Sequence, residues 1–298
     1  MNISLIGVPI FFGSDKAGSD FGPKKLREKN VIAVLSKHHT VYDCGDIYVE
    51  NIPEEQKYEI HPTMKYLRPI VDVNRNLAHQ AYSALCSGSF PLIIGGDHSI
   101  GLGSISGVSK YYKNLAVIWV DAHGDINTHE TSPTGNVHGM PLAAAIGLGF
   151  NRLINLYYPG QKVKPENVFI VGARDLDQGE QEFVKAHNLT VYSTEDVHNL
   201  GVEKIMKEIH CILNNREIDA IHLSFDIDSL DTGLVPGTGT PVKNGMNVTE
   251  AKYILKYLME TSLVKSMDFV ELNPKLDKDD KTADLCIDLL DWTFNYLK

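Results

Sequence analysis

The sequence predicts an α/β fold, a central and mostly parallel sheet with helices packed on its faces. Three observations carry that expectation. Short Val/Ile/Leu-rich runs recur along the 298 residues. They alternate with longer segments of helical period, as βα units do. The polar residues able to do chemistry follow the ends of these runs, where the crevice of an open parallel sheet binds ligands.

Taken in order, strands are expected at residues 4–8, 91–94, 115–120, 168–171, 220–225 and 266–272, with shorter ones near 40–44 and 190–192, about eight in all. The first lies in Ile3-Ser4-Leu5-Ile6-Gly7-Val8-Pro9-Ile10, a run with no basic residues before it and too short to cross a bilayer. Pro23 suits the start of a helix over 23–35, and Pro62 the start of a long helix reaching about Cys86. Asn247-Val248-Thr249-Glu250 opens a helix running towards Met259, and a last helix extends from Thr282 to near Tyr296.

The chain carries 28 Lys and Arg against 38 Asp and Glu, a formal charge of −10. That acid excess removes the usual electrostatic footing for a nucleic acid or an anionic membrane as partner. With 43% hydrophobic and 22% charged residues, wholesale disorder, collagen-like repeats and coiled coil are excluded. No linker, low-complexity stretch or fixed-period repeat divides the sequence, so residues 1–298 are expected to form one domain. No apolar run reaches the length of a membrane helix, about 20 residues, and a cytoplasmic protein is expected. Cys44, Cys86, Cys211 and Cys286 form no C-x-x-C pair and are expected to be buried free thiols. The mixed-charge run over 275–281 reads as a solvated loop.

Three strand ends concentrate the chemistry. Pro91-Leu92-Ile93-Ile94 stops at Gly95-Gly96 and delivers Asp97-His98-Ser99, which alone could be a turn with a capping Asp. The run Ala116-Val117-Ile118-Trp119-Val120 leads into Asp121-Ala122-His123-Gly124-Asp125, three ligand-type side chains at i, i+2 and i+4, on one side of an extended chain. Ile221-His222-Leu223-Ser224-Phe225 leads into Asp226-Ile227-Asp228. Asp121, Asp125, Asp226 and Asp228 in one cleft would repel and raise one another's pKa values unless cations met them. His98 and His123 add neutral nitrogens, and two divalent ions would balance the charge. Oxygen-rich ligands with a minority of imidazoles and no thiolate favour Mn²⁺ over Mg²⁺ and Zn²⁺. Two such ions, roughly 3.5 Å apart, would hold a hydroxide as nucleophile. His222 lies about 13 Å back from Asp226 along the strand. It reads as a hydrogen-bonded sheet histidine, and His129 and the pair His38-His39 lack spaced partners.

These segments, with Ser229-Leu230-Asp231 and Pro236-Gly237-Thr238-Gly239-Thr240-Pro241, resemble the ureohydrolase family of arginases and agmatinases, in the same order from about Gly95 to Asn273. The resemblance implies a three-layer α/β/α sandwich, a dinuclear manganese site and a homo-oligomer, trimer or hexamer. It implies one ion on His98, Asp121, Asp125 and Asp226 and the other on His123, Asp121, Asp226 and Asp228, with Asp121 and Asp226 bridging. A small guanidinium compound would then be hydrolysed to urea and an amine by the metal-bridging hydroxide. Glu271, in a segment similar to the family's last strand, would pair with the guanidinium, and Thr240 would assist as a hydroxyl donor.

The stretch from Ile126 to Gly139 resembles the arginase substrate loop rather than the agmatinase one. By that resemblance Asn127 and Thr134 would bind the α-carboxylate of L-arginine, supported by Ser132 and Asn136. Arg174-Asp175-Leu176-Asp177-Gln178-Gly179-Glu180 is similar to a second arginase signature, in which Asp177 and Glu180 would recognise the α-amino group. On its own this segment is also a common helix start. His138 would carry the proton to the departing amine, its alternative being a structural histidine bonded to a loop carbonyl. Two departures stand out: Thr134 where many arginases have Ser, adding a methyl in a tight site, and a 14–20 loop without the family's Arg-Gly-Val run. Agmatinase is the alternative within the family. A dinuclear phosphoesterase would need Arg or Lys beside the metals, where these segments supply acids. An inert metal-binding protein would leave an intact ligand set without a use.

Overall fold

The computed structural model describes residues 1–298. Eight strands, β1 (Asn2–Val8), β2 (Thr40–Asp46), β3 (Phe90–Gly95), β4 (Leu115–Val120), β5 (Val168–Ala173), β6 (Thr190–Ser193), β7 (Ala220–Asp226) and β8 (Val264–Val270), form one sheet in the order β2-β1-β3-β8-β7-β4-β5-β6. Every neighbouring pair is parallel. All residues of β3, β4, β5 and β7 are buried. Strands covered on both faces are the ones that read as unbroken apolar runs.

The helices are α1 (Gly22–Glu28), α2 (Val31–Leu35), α3 (Leu67–Cys86), α4 (Gly101–Tyr111), α5 (Pro141–Ala145), α6 (Asn151–Ile154), α7 (Gln178–His187), α8 (Thr194–Leu200), α9 (Val202–Asn215), α10 (Val248–Glu260) and α11 (Lys281–Phe294). Alternate strand residues divide between two cores. Leu92, Ile94, Ile118 and Val120 join Leu26 of α1, Val31 of α2, Val197 of α8 and residues of α9, α10 and α11. Ile93, Val117 and Trp119 join α3, α4, α5, Leu153 of α6 and Phe183 of α7. Helices, sheet and helices therefore make three layers. No helix is long and apolar enough to cross a membrane.

Three expectations are corrected. The helix expected over 23–35 is two, because Asn30 takes a left-handed φ of 62° and separates α1 from α2. The long helix starts at Leu67 and not at Pro62. Tyr66 is left-handed, and the His61 ring accepts the backbone N–H groups of Thr63 and Met64. The useful proline is Pro69, in the first turn, where no intrahelical donor is lost. Of the four thiols only Cys286 is buried. Cys44 sits on the uncovered edge strand β2, while Cys86 at the end of α3 and Cys211 on α9 face solvent.

The order of the sheet sets up the site. β7 and β8 return into the gap between β3 and β4, so the carboxyl ends of β3, β8, β7 and β4 stand side by side. Behind β3 the turn at His98 feeds α4, which lies against α3 at two glycines. The Gly103 N–H donates to Asn74 Oδ1 at 2.7 Å, and a Cβ on Gly107 would fall well inside contact with the Ala78 carbonyl. Gly107→Ala is therefore expected to destabilise the protein. Overpacking against backbone costs of order 1–3 kcal/mol, more than the roughly 1 kcal/mol that alanine gains over glycine in a helix. A lowered urea midpoint would show it, and a raised one would refute the close packing.

Candidate active site

Each strand end delivers its side chains through a tight turn. Asp97 caps the 3-10 turn His98–Ile100, its carboxylate accepting the N–H groups of Ser99 (3.0 Å) and Gly13 (2.8 Å). Burial, with the charge of Glu271, pushes Asp97 up to about 6. The turn-capping reading thus describes Asp97, while His98 goes to the cluster. After β4 the chain is not extended as the i, i+2, i+4 spacing supposes. Asp121 Oδ1 accepts the His123 N–H at 2.7 Å and Asp125 takes a left-handed φ of 52°. Asp226 repeats the device, Oδ1 accepting the Asp228 N–H at 2.8 Å.

His98 Nδ1 lies 2.8 Å from Asp121 Oδ2, 3.1 Å from Asp226 Oδ2 and 3.3 Å from Asp125 Oδ2. His123 Nδ1 lies 3.2 Å from Asp228 Oδ2 and 3.3 Å from Asp121 Oδ1. Two ligand groups result, His98/Asp121/Asp226 and Asp121/His123/Asp228, with the donor atoms of each within 4.8 Å of one another. Asp121 joins both through different oxygens. By these distances Asp226 falls in the first group, its Oδ2 turned to His98, and Asp125 flanks it.

Hydrogen bonding among these residues does not account for the cluster. One imidazole N–H cannot serve three carboxylates, and the buried His98 Nδ1 is aligned with none of them. Burial and neighbouring acids push Asp125 and Asp226 well above the usual carboxylate range. Burial would also raise Asp121, but His123 and His98 hold it well below that range. Burial opposes charge on both imidazoles, yet the acids raise them, chiefly Asp121 for His98 and Asp228 for His123. Two nitrogens and four carboxylates without a thiolate form a donor set for divalent cations of hard or borderline type.

Sequence reasoning missed the supporting groups. Trp119 stacks on His98 at 3.8 Å, its plane 8° from the imidazole, and donates Nε1–H to Asp121 Oδ2 at 2.9 Å. His98 Nε2 meets Ser224 Oγ at 2.8 Å. Asp268 Oδ2 receives Ser104 Oγ (2.5 Å), Ser224 Oγ (3.4 Å) and His222 Nε2 (3.0 Å). His222 Nδ1 meets Ser266 Oγ at 2.8 Å, so His222 is the bonded sheet histidine expected. If Ser224 gives its proton to Asp268, it accepts from His98 Nε2–H, and the Nδ1 lone pair faces the acids. The available signal was polar residues interrupting the apolar runs of β7 and β8.

Above the cluster lies a cleft of about 220 Å³ with no hydrophobic lining residue; His123, Asp125 and Thr240 form part of its lining. One wall is Asn127, Ser132, Thr134 and Asn136. Each of their oxygens already accepts one hydrogen bond. Asn127 Oδ1 takes the Thr131 hydroxyl (2.8 Å), Asn136 Oδ1 the Lys65 ammonium (2.8 Å), Ser132 Oγ the Gly135 N–H (3.0 Å) and Thr134 Oγ1 the Asn136 N–H (3.2 Å). Each side chain keeps a hydrogen to donate. Thr134 is exposed, so the tight surroundings expected for its methyl are absent.

Another part of the lining is acidic, Asp177, Glu180 and Asp175, the last not singled out from the sequence, and Asn127 Nδ2 donates to Asp177 Oδ2 at 2.7 Å, so the two parts adjoin. Asp177 and Glu180 form the capping box of α7, so the helix-start reading and the cleft-lining one apply to the same residues. Burial pushes Glu180 up to about 7. Arg174 donates to the carbonyls of Gly172, Asp228, Ser229, Leu230, Val242 and Lys243, and no Arg or Lys lines the cleft. The cation required by phosphoester chemistry is therefore missing from its walls.

His138 lines the cleft, with Glu271 behind it. Glu271 Oε1 accepts the His98 N–H at 2.9 Å and lies 3.4 Å from His138 Nδ1. β8 ends before Glu271 because this residue turns left-handed (φ 66°), anchored by its N–H to the Gly96 carbonyl at 2.9 Å. Thr240 gives its hydroxyl proton to Asp228 Oδ2 at 3.0 Å, so it orients a candidate ligand and is not a free donor.

A parallel sheet whose central strands end in two imidazole–carboxylate groups sharing one aspartate is the framework of a metal-dependent hydrolase. The arginase family model matches residues 1–294. The arginase of Brevibacillus brevis is 44% identical over 98% of this chain and 97% of its own. That of Bacillus subtilis strain 168 is 41% identical over 97% and 96%. The native arginase structure from Bacillus caldovelox superposes with a TM-score of 0.93 at 40% identity, covering 98% of both chains. The chain belongs to the arginase family.

Raised proton affinity at His98, His123, Asp125 and Asp226 means that protons compete there with an arriving cation. Titrating chelator-stripped protein with Mn²⁺ as probe is expected to release protons, measured calorimetrically in buffers of different ionisation enthalpy. The raised acids stabilise the fold below their unfolded pKa, and that contribution is lost as pH rises through the folded values. The gain in Tm on adding Mn²⁺ should therefore grow as pH rises above the ordinary carboxylate range. Heats independent of buffer would contradict the assignment.

Proposed function

We propose that this chain hydrolyses L-arginine to L-ornithine and urea, with two Mn²⁺ ions held by His98, Asp121, Asp125 and Asp226 and by His123, Asp121, Asp226 and Asp228. The observation that carries the reading is the lining of the cleft above the cluster, in which neutral hydrogen-bond donors and carboxylates occur together and adjoin where Asn127 donates to Asp177. A free amino acid has the matching ends. Its α-carboxylate suits Asn127, Ser132, Thr134 and Asn136, and its α-ammonium suits Asp177 and Glu180, with Asp175 beside them. Agmatine has no carboxylate, which would leave the first wall with nothing to bind. The relatives named arginase agree with this choice.

Guanidinium is cationic at any biological pH, and its carbon is a poor electrophile because the charge is delocalised. Bound divalent cations would supply a water acidic enough to attack near neutrality. The remaining work falls to side chains. Glu271, with Oε1 fixed by the His98 N–H, has Oε2 left to accept a guanidinium N–H and aim the carbon at the cluster. Asp125 touches the first ligand group and also lines the cleft, so its carboxylate is placed to take the proton of the attacking water. Oxygen adds to the guanidinium carbon, the bond to the substituted nitrogen breaks, and that nitrogen leaves as an amine. His138, its Nδ1 beside Glu271, supplies the amine's proton from Nε2.

The test is urea release from L-arginine and agmatine in parallel, with Mn²⁺ present. L-arginine is expected to be the better substrate; preference for agmatine would overturn the reading. His138→Asn should cut turnover by about 10²–10⁴-fold with metal content intact, whereas Asp228→Asn should lower metal content. Equal metal loss in both would contradict the assigned roles.

A further inference from the structure

We propose that Lys65, which lies outside the cleft, is a specificity-positioning residue: its ammonium fixes and polarises the Asn136 amide so that an N–H, and never the carbonyl, is offered to the anionic end of the substrate. The inference rests on the reading of the cleft as an arginine site and adds a residue that neither the signature segments nor the cleft lining contains.

Lys65 Nζ donates to Asn136 Oδ1 at 2.8 Å, and Asn136 Nδ2 donates to the Ser14 carbonyl at 3.0 Å. An ammonium accepts nothing and a carbonyl donates nothing, so these two partners allow only one orientation of the amide. One N–H of Nδ2 is spent on Ser14, and the second has no protein partner. A cation on the carbonyl oxygen also strengthens the amide's remaining N–H as a donor, as hydrogen bonds in chains do.

Lys65 is itself held in place. Its ammonium lies 3.1 Å from Asp15 Oδ2, which also takes Lys57 at 2.7 Å, and its side chain is 16% exposed. The backbone joins in: the Lys65 N–H donates to the Gly135 carbonyl at 3.0 Å, and Gly135, at φ 70°, has no room for a Cβ against the Thr63 carbonyl. Asp15 and Ser14 belong to the loop whose sequence departs from the family run, so that loop braces the wall from behind. A cleft lined by neutral donors and acids, with no cation of its own, thereby receives positive charge through a neutral amide.

Lys65→Met keeps the stem and the backbone bond but removes the charge. It is expected to raise KM for L-arginine about tenfold, the effect of one lost hydrogen bond to a charged group, with kcat within about twofold. Lys65→Arg should restore KM to within about threefold of the parent. In an Asn136→Ala background, Lys65→Met should add nothing to KM, because its partner is gone. A parallel fall in kcat, an arginine variant as impaired as the methionine one, or an undiminished effect in the Asn136→Ala background would each overturn the proposal. Should Lys65→Met not fold, Lys65→Gln, with a neutral donor, is expected to raise KM about threefold, and an unchanged KM there would overturn it. Absence of urea from L-arginine with the parent protein would instead refute the substrate reading.

Discussion

Four carboxylates buried in one place are the constraint on which the rest of this structure depends. Asp121, Asp125, Asp226 and Asp228 are each no more than 5% exposed. Left to themselves they would protonate or push the strand ends apart. The fold meets this by giving each turn a partial answer. Asp226 and Asp228 each turn one oxygen to a backbone N–H, that of Asp228 and of Ala122 respectively, and the other to an imidazole. Asp121 divides its oxygens between two histidines. What backbone and imidazole leave unbalanced is a deficit of positive charge that divalent cations fit.

Such a cluster needs neighbours that do not yield, and the sheet register supplies them. Trp119 is paired with Ser224, and Ser224 with Asp268, across β4, β7 and β8. Three strands from distant parts of the sequence therefore place an indole, a hydroxyl and a carboxylate around one imidazole. These groups do not reach the cleft. They hold the plane of His98 and give its Nε2 a partner in Ser224, contacts that orient a metal-ligating imidazole. The left-handed backbone at Asp125 and Glu271 belongs to the same economy: strain of about 1–3 kcal/mol at such residues persists where surrounding contacts hold it.

The fold was legible where burial is two-sided. Strands such as 115–120 and 220–225 show as apolar runs because both their faces are covered, and strand-end Asp and His stand out against them. Helix starts were legible where a capping side chain marks them, as at Asn247, and were misplaced where a proline stood ahead of the true start, as at Pro62. Asn30 and Tyr66 turn the chain left-handed with no such mark, and the two helix boundaries were misplaced there. The thiols misled because average burial of cysteine says nothing about an edge strand or a helix's outer face. At the site, ligand-type residues were readable from spacing, though the reason supplied, an extended chain, was not the geometry found. Trp119, Ser224, Asp268 and Lys65 act through contacts across the fold, which no local pattern records.

The neutrality of the carboxylate-facing wall follows from the same charge balance. On the proposed reading the substrate brings a guanidinium towards a site that already holds two dications, and only the surrounding acids make that approach favourable. An arginine or lysine inside so small a cleft would pair with Asp125, Asp177 or Glu180 in place of the substrate and fill the space that the substrate needs. The structure keeps its cations one layer out. Arg174 is spent on backbone carbonyls, and Lys65 stands behind an amide. Recognition of an anion by amides and hydroxyls is then what remains when charge must be excluded from the cleft but its orienting effect retained.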